Sequence, residues 1–490
     1  MHISSGTITA TLSALVLIVI TLPAQETTAP PTQTSTSDIA SPVTAAQDSA
    51  PAHANSKVRI VRLSEVKGAV QLDRNTGRGF EEAMPNLPIV EQARLQTGQG
   101  VAEVEFEDNS TLRIAPESLV EFSQLELLPS GAKASTMTIQ RGMVYASLVN
   151  TKGNEFTLTF NQQKVQLQPS SHVRLQLLPT EAKLAVMEGS ALVDGPSGTT
   201  EIGKKKTLTF DLANQHQPVE AKNVASEPFD SWDHNNADYH KTFASLSAFG
   251  NSPYSYGVSD MLYYGSFVNT SGCGSMWRPY FVSTAWDPFA NGTWAWYQGA
   301  GYSWVSPYPW GWMPFHYGNW VSCAGAGWGW QPGGAWYGLS NGLASTTVNG
   351  QPVHRPAAPI KPPVSGQSTL VRVSLKPLAA SDFASHESFV FRNDSAGLGI
   401  PRGNFGKLNG FSDQVVHHGS VSTPVYLSSP STPSGGGRPE NARLDSGRPS
   451  AAEHSASERS SISSGSSIGR SANTVSAPTA GSAPGSSRPH

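Results

Sequence analysis

Short runs of alternating apolar and polar residues recur through residues 57–212. Ala102 and Val104, for example, alternate with Glu103 and Glu105. A period of two places apolar side chains on one face of a sheet and, in this strand, acidic side chains on the other. No run with helical spacing is long enough to predict a helix. The pattern therefore predicts an all-β domain of many short antiparallel strands.

Glycine stands two residues before an alternating strand at three places, Gly68, Gly142 and Gly189. Without a Cβ, glycine permits a bulge or a tight strand entry that other residues would obstruct. The repetition of this device favours strands that stack as a β-roll or a β-sandwich.

Tryptophan is concentrated in one region, with 11 of the 12 residues between Trp277 and Trp336. Three times, a Gly-x-aromatic sequence is followed ten residues later by Trp, and a Gly-x-Gly sequence lies between the two aromatic residues. The aromatic pairs are Phe267 and Trp277, Trp294 and Trp304, and Trp320 and Trp330. A spacing of 26 or 27 residues between units is typical of a repeat architecture. Residues 253–340 are therefore predicted to form a Trp-rich module of β-hairpins.

Several motifs resemble those of a known extracytoplasmic domain. The stretches 58–72, 94–100 and 106–114, with the strands that follow Gly142 and Gly189, are together similar to a FecR-type domain over about residues 57–212. The resemblance implies an all-β domain that transmits or supports signals through protein contacts. Only seven residues precede the apolar run at Ile8, so we do not expect the cytoplasmic module through which FecR regulators contact a sigma factor.

The sequence from Trp310 to Trp320, with the upstream stretch from Phe229 to Trp232, resembles a Trp-rich domain of unknown function often found after FecR-type domains. That family has a basic residue before the last Trp, whereas this chain has Asn319. A charged contact at that position is therefore not carried over, and the resemblance brings no known activity.

Most of these aromatic side chains are expected to form the core of the module, because small repeats with few aliphatic residues need large buried groups. Trp296, Tyr297, Tyr308 and Tyr317 fall outside the repeated frame. They are the candidates for an exposed surface on which a sugar ring would stack.

The apolar run from Ile8 to Leu22, followed by Ala24, predicts a signal peptide over residues 1–24, with an uncleaved N-terminal anchor as the alternative. Either way, the bulk of the chain is expected in the periplasm or cell envelope, or secreted. Cys273 and Cys323 would then meet an oxidising compartment, and the sequence leaves open whether they pair.

The remaining segments are predicted from composition. A disordered Thr/Ala/Ser/Pro linker is expected over residues 25–56 and a connector over 213–252. A Pro-rich spacer with a few strands is expected over 341–415, and a disordered Ser/Gly/Pro tail over 416–490.

Three other sequence features resemble functional sites but lack the surroundings that such sites need. With a net charge of −3, the chain has as its densest basic cluster only Lys204–Lys206, so no nucleic-acid site is expected. Gly465–Gly469 matches the G-x-S-x-G nucleophile motif, but it lies in the tail rather than between a strand and a helix. The acids and histidines between Asp233 and His240 match no tight metal-ligand spacing. No catalytic residue, metal or cofactor is predicted.

The sequence therefore predicts an exported, non-catalytic protein that acts as a protein-interaction or envelope scaffold, with a protein partner in the cell envelope. The alternative is a cell-envelope protein that binds carbohydrate or peptidoglycan through exposed aromatic side chains. Membrane contact is expected only through the N-terminal segment, if that segment is uncleaved.

Overall fold

The computed structural model describes residues 58–195, 198–214, 216–244, 249, 252–341, 347–348, 351–352, 356–375 and 388–424. These residues all belong to one compact unit within Met1–Thr432. The predicted signal peptide or anchor, the linker 25–56, and the tail beyond residue 424 with its G-x-S-x-G sequence lie outside the described residues.

The all-β class is confirmed, with strands as the dominant element. The first 17 strands are β1 Val61–Lys67, β2 Val70–Asp73, β3 Glu81–Glu82, β4 Pro88–Ile89, β5 Arg94–Thr97, β6 Val101–Glu105, β7 Thr111–Ile114, β8 Leu119–Leu127, β9 Lys133–Ser147, β10 Glu155–Phe160, β11 Gln163–Leu167, β12 His172–Leu177, β13 Glu181–Glu188, β14 Ser190–Gly195, β15 Gly198–Gly203, β16 Lys206–Asp211 and β17 Val219–Ala221.

These strands form two sheets that share β9. The first sheet has the order β4-β1-β6-β7-β9-β12-β13-β16-β17, and the second has the order β3-β2-β5-β8-β9-β10-β11-β14-β15. Pairing is antiparallel except between β9 and β10. Apolar side chains from both sheets pack in one core, as in a β-sandwich.

Strand β9 passes from the second sheet to the first near Gly142, which has a φ of +90°. A Cβ at this position would lie 2.2 Å from the Oγ of Ser118, so only glycine fits. Gly68 and Gly189 also have positive φ, of +71° and +69°. The tight strand entries predicted at these three glycines are therefore present.

The aromatic module consists of three antiparallel hairpins. Its strands are β18 Gly265–Thr270, β19 Gly274–Pro279, β20 Asn291–Tyr297, β21 Gly301–Val305, β22 Asn319–Cys323 and β23 Gly327–Gln331. In each hairpin the two aromatic residues predicted to pair lie directly opposite each other. The first and third hairpins join where Trp277 pairs with Trp330.

The glycine two residues before each first-strand aromatic leaves room for the tryptophan of the second strand. A Cβ on Gly265 would lie 2.3 Å from the Trp277 ring, and one on Gly292 would lie 2.1 Å from the Trp304 ring. A Cβ on Gly318 would likewise lie 2.7 Å from the Trp330 ring. The indole therefore lies across bare backbone of the opposite strand, which explains the Gly-x-aromatic spacing.

The remaining strands are β24 Thr347–Val348, β25 Gln351–Pro352, β26 Leu370–Ser374, β27 Ser388–Arg392 and β28 Ser420–Pro424. Strand β26 extends the second hairpin by pairing with β20, β24 pairs with β25, and β27 pairs with β28.

Four α-helices are present among the described residues, α1 Asp230–Phe243, α2 Val258–Tyr264, α3 Met313–His316 and α4 Asn409–His418, with one short 3-10 helix at Gly338–Ser340. The expectation of no helix was wrong: α1 lies in the predicted connector, and α4 and β28 extend into the predicted disordered tail, where residues 416–424 are folded. The buried face of α1 has helical spacing but mixes Trp232 and Tyr239 with Asn236 and Asp233, so the apolar pattern alone is weak. None of the described helices has the length and apolar character needed to cross a bilayer.

Candidate functional site

The acidic face of β6 is buried rather than solvated. Glu103 and Glu105 are fully buried, because α1 and α2 cover this side of the first sheet. Asp233 of α1 and Asp260 of α2 add two further buried carboxylates. We call these four acids, with the cations that pair with them, the buried joint.

The neighbouring strands supply the first cations of the joint. Arg113 of β7 lies directly opposite Glu103, and its Nε donates to Oε2 at 2.8 Å. Arg62 of β1 lies directly opposite Glu105, and its Nη1 donates to Oε2 at 2.8 Å. Both arginine side chains are essentially inaccessible to solvent. Cross-strand register therefore places each buried acid beside a buried guanidinium.

The helices complete the pairing. Asp233 accepts from Nη1 of Arg113 at 2.8 Å and lies 2.7 Å from Nε2 of His172. Asp260 contacts Nη2 of Arg62 at 2.6 Å and accepts from the Tyr239 hydroxyl at 2.9 Å.

A third arginine, Arg402, enters the joint from far along the chain. Its Nη1 donates to Oε1 of Glu103 at 2.8 Å, and its Nη2 donates to Oδ2 of Asp260 at 2.7 Å. Arg402 therefore connects the sheet to α2.

These contacts lower the pKa of Glu103 and of Asp260. Burial alone would raise the pKa of Glu103, but His240, Arg113 and Arg402 outweigh that effect and hold its pKa well below the usual range. Arg402 and Arg62 likewise lower the pKa of Asp260 against the effect of burial. The joint is therefore a network of charged groups that compensate one another.

Ser259, His240 and Glu103 lie in the order of a Ser-His-acid triad. The Ser259 Oγ is 3.2 Å from Nδ1 of His240, and Nε2 of His240 is 2.9 Å from Oε1 of Glu103. Ser259 is 0% exposed, so a substrate has no access to its hydroxyl in this structure. The same Glu103 oxygen also accepts from Ser64 and Arg402. In this conformation the three side chains fasten α1 and α2 to the sheet.

The joint extends into the aromatic module. Nη2 of Arg62 donates to the Pro309 carbonyl at 2.5 Å, and Nδ2 of Asn86 donates to the Tyr308 carbonyl at 2.7 Å. A second set of contacts lies at the second hairpin, where Arg74 donates to the Trp296 carbonyl at 2.9 Å. These bonds hold the predicted β domain and the hairpins together.

Three of the four candidate ligand-stacking residues are not exposed. Tyr308 is 0%, Tyr297 2% and Tyr317 3% accessible, so they present no face to a ligand. Tyr297 points into the contact with the first domain, where its hydroxyl donates to the Pro88 carbonyl at 2.6 Å. Tyr308 stacks on Trp310 at 5.0 Å between ring centroids. These side chains are core, which corrects the expectation that they are exposed.

Trp296 is the candidate that remains partly accessible. It lies opposite Tyr302, also half-buried, and the two rings meet edge to face at 5.1 Å and 66°. We call these two residues the aromatic pair. Tyr302 was not among the predicted candidates, although its position opposite Trp296 in the hairpin follows from the repeat spacing.

Cys273 and Cys323 form a disulfide, with their Cα atoms 6.2 Å apart. It connects the turn of the first hairpin to the end of β22. The acids and histidines between Asp233 and His240 divide between the joint and the surface, where His234 contacts Asp238 at 3.2 Å. Within the described ranges, no three His, Cys, Asp or Glu side chains are grouped to hold a metal ion.

Part of the chain matches the model of a known family. Residues 258–349 match the model of a family of unknown function, DUF6600, and this range contains all three hairpins. No curated protein sequence matches the chain.

Among solved structures, the chain is similar to two crystal structures of a candidate anti-sigma factor from Parabacteroides distasonis ATCC 8503. The first is 12% identical, with a TM-score of 0.24, over 28% of this chain and 63% of that chain. The second is 12% identical, with a TM-score of 0.23, over 30% of this chain and 72% of that chain. This chain thus spans about 63% of the length of the first of these relatives.

Proposed function

We propose that this protein is an exported, non-catalytic interaction scaffold of the cell envelope, in which a FecR-like β domain and an aromatic hairpin module act as one rigid body. The observation that carries this proposal is the buried joint. Its four carboxylates are bound by arginine and histidine side chains of the protein itself, and the joint links both parts. Charged groups used in this way stabilise a relative orientation rather than turn over a substrate.

The triad-like geometry offers the sharpest test of the non-catalytic part of the proposal. A fluorophosphonate probe labels a serine that a histidine activates, provided that the hydroxyl is accessible. Because Ser259 is fully buried, we expect no labelling of the purified full-length chain, and the same result for Ser259→Ala. Labelling of the wild type that Ser259→Ala abolishes would make this protein a serine hydrolase and would refute the proposal.

Export is tested separately. Alkaline phosphatase is active only after it leaves the reducing cytoplasm, so a fusion after residue 57 should be active in a bacterial host. Deletion of residues 8–22 from the fusion should abolish that activity. An inactive full fusion would contradict the proposed location.

The aromatic pair is the surface that we propose for partner contact, because half-exposed Trp and Tyr are enriched at protein interfaces. A photo-crosslinking amino acid at position 296 should give one discrete product with an envelope protein in living cells. The matched control is the same amino acid at Val219, which is 68% exposed and lies in the other domain. Equal products from both positions, or none from position 296, would remove the pair from the interface.

Glycan binding is the second candidate, and the same aromatic pair favours it because sugar rings stack on exposed indole and phenol faces. Purified peptidoglycan sacculi should then sediment the full-length protein. Trp296→Ala should abolish sedimentation while leaving the near-ultraviolet circular dichroism of the buried tryptophans unchanged. Sedimentation that Trp296→Ala does not alter would exclude the pair as a glycan site.

A further inference from the structure

The C-terminal described segment, residues 388–424, has a small core of its own. Phe391 packs on Phe411 with 4.5 Å between ring centroids and on Phe405 at 5.1 Å. Phe389 contacts Phe405 at 5.0 Å. Strands β27 and β28 and helix α4 hold these rings together, so the segment is folded as a unit.

This unit docks on the aromatic module through both packing and hydrogen bonds. The ring of Phe281 stacks on Phe391 at 5.3 Å, with an interplanar angle of 11°. The Phe281 amide donates to the Ser412 hydroxyl at 3.1 Å, and the Trp310 indole N–H donates to the Ala396 carbonyl at 2.6 Å. The segment therefore contacts the module at several separate points.

From there the chain crosses α2 and reaches the buried joint. The Tyr264 hydroxyl donates to the Ile400 carbonyl at 2.6 Å. Gly397, with a φ of +85°, passes so close to Tyr264 that a Cβ would lie 2.7 Å from its ring. Two residues after Ile400, the Arg402 side chain enters the joint with 6% of its surface exposed. There it also donates to the Ser64 carbonyl of β1 at 2.8 Å.

The charge balance makes Arg402 the critical residue. The joint contains four buried carboxylates, while its arginines are Arg62, Arg113 and Arg402. Without Arg402, two arginines and the histidines His172 and His240 face four acids. Uncompensated buried charge favours the entry of water and the separation of the elements that carry it.

We infer that residues 388–424 form a clasp that keeps the joint between the first sheet and α2 closed, with Arg402 as its principal fastening. In the closed state, Arg402 bridges Glu103 of β6 and Asp260 of α2. Without this segment, the buried acids lack one of the cations that pair with them. This inference concerns the stability of the fold and does not depend on the partner or ligand proposed above.

The clasp can be tested in the full-length chain by inserting a site-specific protease sequence between residues 376 and 387. After complete cleavage, the fragment that begins near residue 388 should remain bound and co-elute on size exclusion at micromolar concentration. Arg402→Gln should weaken this association about a hundredfold, since breaking one partner of a buried ion pair is strongly destabilising. The matched control is Val416→Ala, a change at a 70% exposed position of the same segment, which should leave retention unchanged.

Two results would overturn the inference: separation of the wild-type fragments at micromolar concentration, or retention of the Arg402→Gln fragment with wild-type affinity. Circular dichroism of the uncut variant shows whether it still folds. If it does not, Arg402→Lys takes its place in the same assay. Lysine keeps the charge but lacks the planar fork that reaches Glu103, Asp260 and the Ser64 carbonyl together. Its fragment should dissociate at least tenfold more readily, and wild-type retention would again refute the clasp.

Discussion

Gly292→Ala is expected to destabilise the fold by about 2–3 kcal/mol, a cost typical of forcing an extra methyl group into a packed core. The added Cβ would lie 2.1 Å from Cζ2 of Trp304 and 2.5 Å from both Cε2 and Cη2, whereas carbon atoms pack at about 3.5–4.0 Å. The ring would have to move by more than 1 Å. Trp304 is 1% exposed and meets Trp294 at 5.0 Å between centroids, so it has little space into which to move.

The assay is urea unfolding of the full-length chain, followed by tryptophan fluorescence and by far-ultraviolet circular dichroism. Gly203→Ala is the matched control, because that glycine also has an ordinary φ but no neighbour within 4 Å of the added methyl group. The control should change the free energy of unfolding by less than about 0.5 kcal/mol. If Gly292→Ala and Gly203→Ala agree within that margin, the explanation of the Gly-x-aromatic repeat is refuted.

Three further changes probe the joint and the aromatic module. Arg113→Met should lower the free energy of unfolding in urea by about 3–5 kcal/mol, because it leaves buried acids without a cation. Arg372→Met, at an exposed ion pair, should lower it by under about 1 kcal/mol. Equal losses would contradict the role given to the joint. Burial lowers the pKa of His316 to about 3, so the unfolded chain binds a proton that the folded chain excludes between that value and about 6.5. The free energy of unfolding should fall by about 1.4 kcal/mol per pH unit as the pH decreases through this window. An unchanged slope in His316→Gln would contradict the attribution of this pH dependence to His316. Reduction of the Cys273–Cys323 disulfide, which spans 50 residues of sequence, should lower the free energy of unfolding by about 2–5 kcal/mol, whereas a melting temperature indifferent to dithiothreitol would argue against any such contribution.

The hairpins could be predicted from sequence because their determinants are local. The Gly-x-Gly turns need positive φ, and Gly299 and Gly301 have values of +78° and +84°. A turn of constant length then sets the register, which puts Trp294 opposite Trp304 and Trp320 opposite Trp330. No long-range information enters this reasoning.

The exposure of individual aromatics could not be predicted in the same way. Tyr297 and Trp296 are neighbours on one strand and therefore point to opposite faces, but the sequence does not say which face meets the first domain. The structure turns Tyr297 toward Pro88 and leaves Trp296 partly exposed. Burial of Tyr308 likewise depends on contacts with Trp310 and Trp286 that the repeat spacing does not specify.

Helix α1 and the clasp were missed for a related reason. The buried face of α1 has Asp233 and His240 beside Trp232 and Tyr239, so charged groups interrupt its apolar stripe. Arg402 meets its acids across 299 and 142 residues of sequence, a separation over which no local pattern gives a signal. Sequence reasoning based on hydrophobic period therefore does not detect ion pairs between distant parts of the chain.

A signal for the joint was nevertheless present in the strands themselves. An acidic face that meets water needs no partner, whereas here Glu103 and Glu105 lie directly opposite Arg113 and Arg62 on the two flanking strands. Matched opposite charges at cross-strand positions keep their mutual attraction when water is removed, so such a face can be covered by another element. An alternating strand whose acidic positions each lie opposite an arginine on one neighbouring strand therefore predicts a face that another element can cover. In this protein the cover is α1, α2 and Arg402, and the cost of exposing that face adds to the packing and hydrogen bonds that join the β domain to the aromatic hairpins.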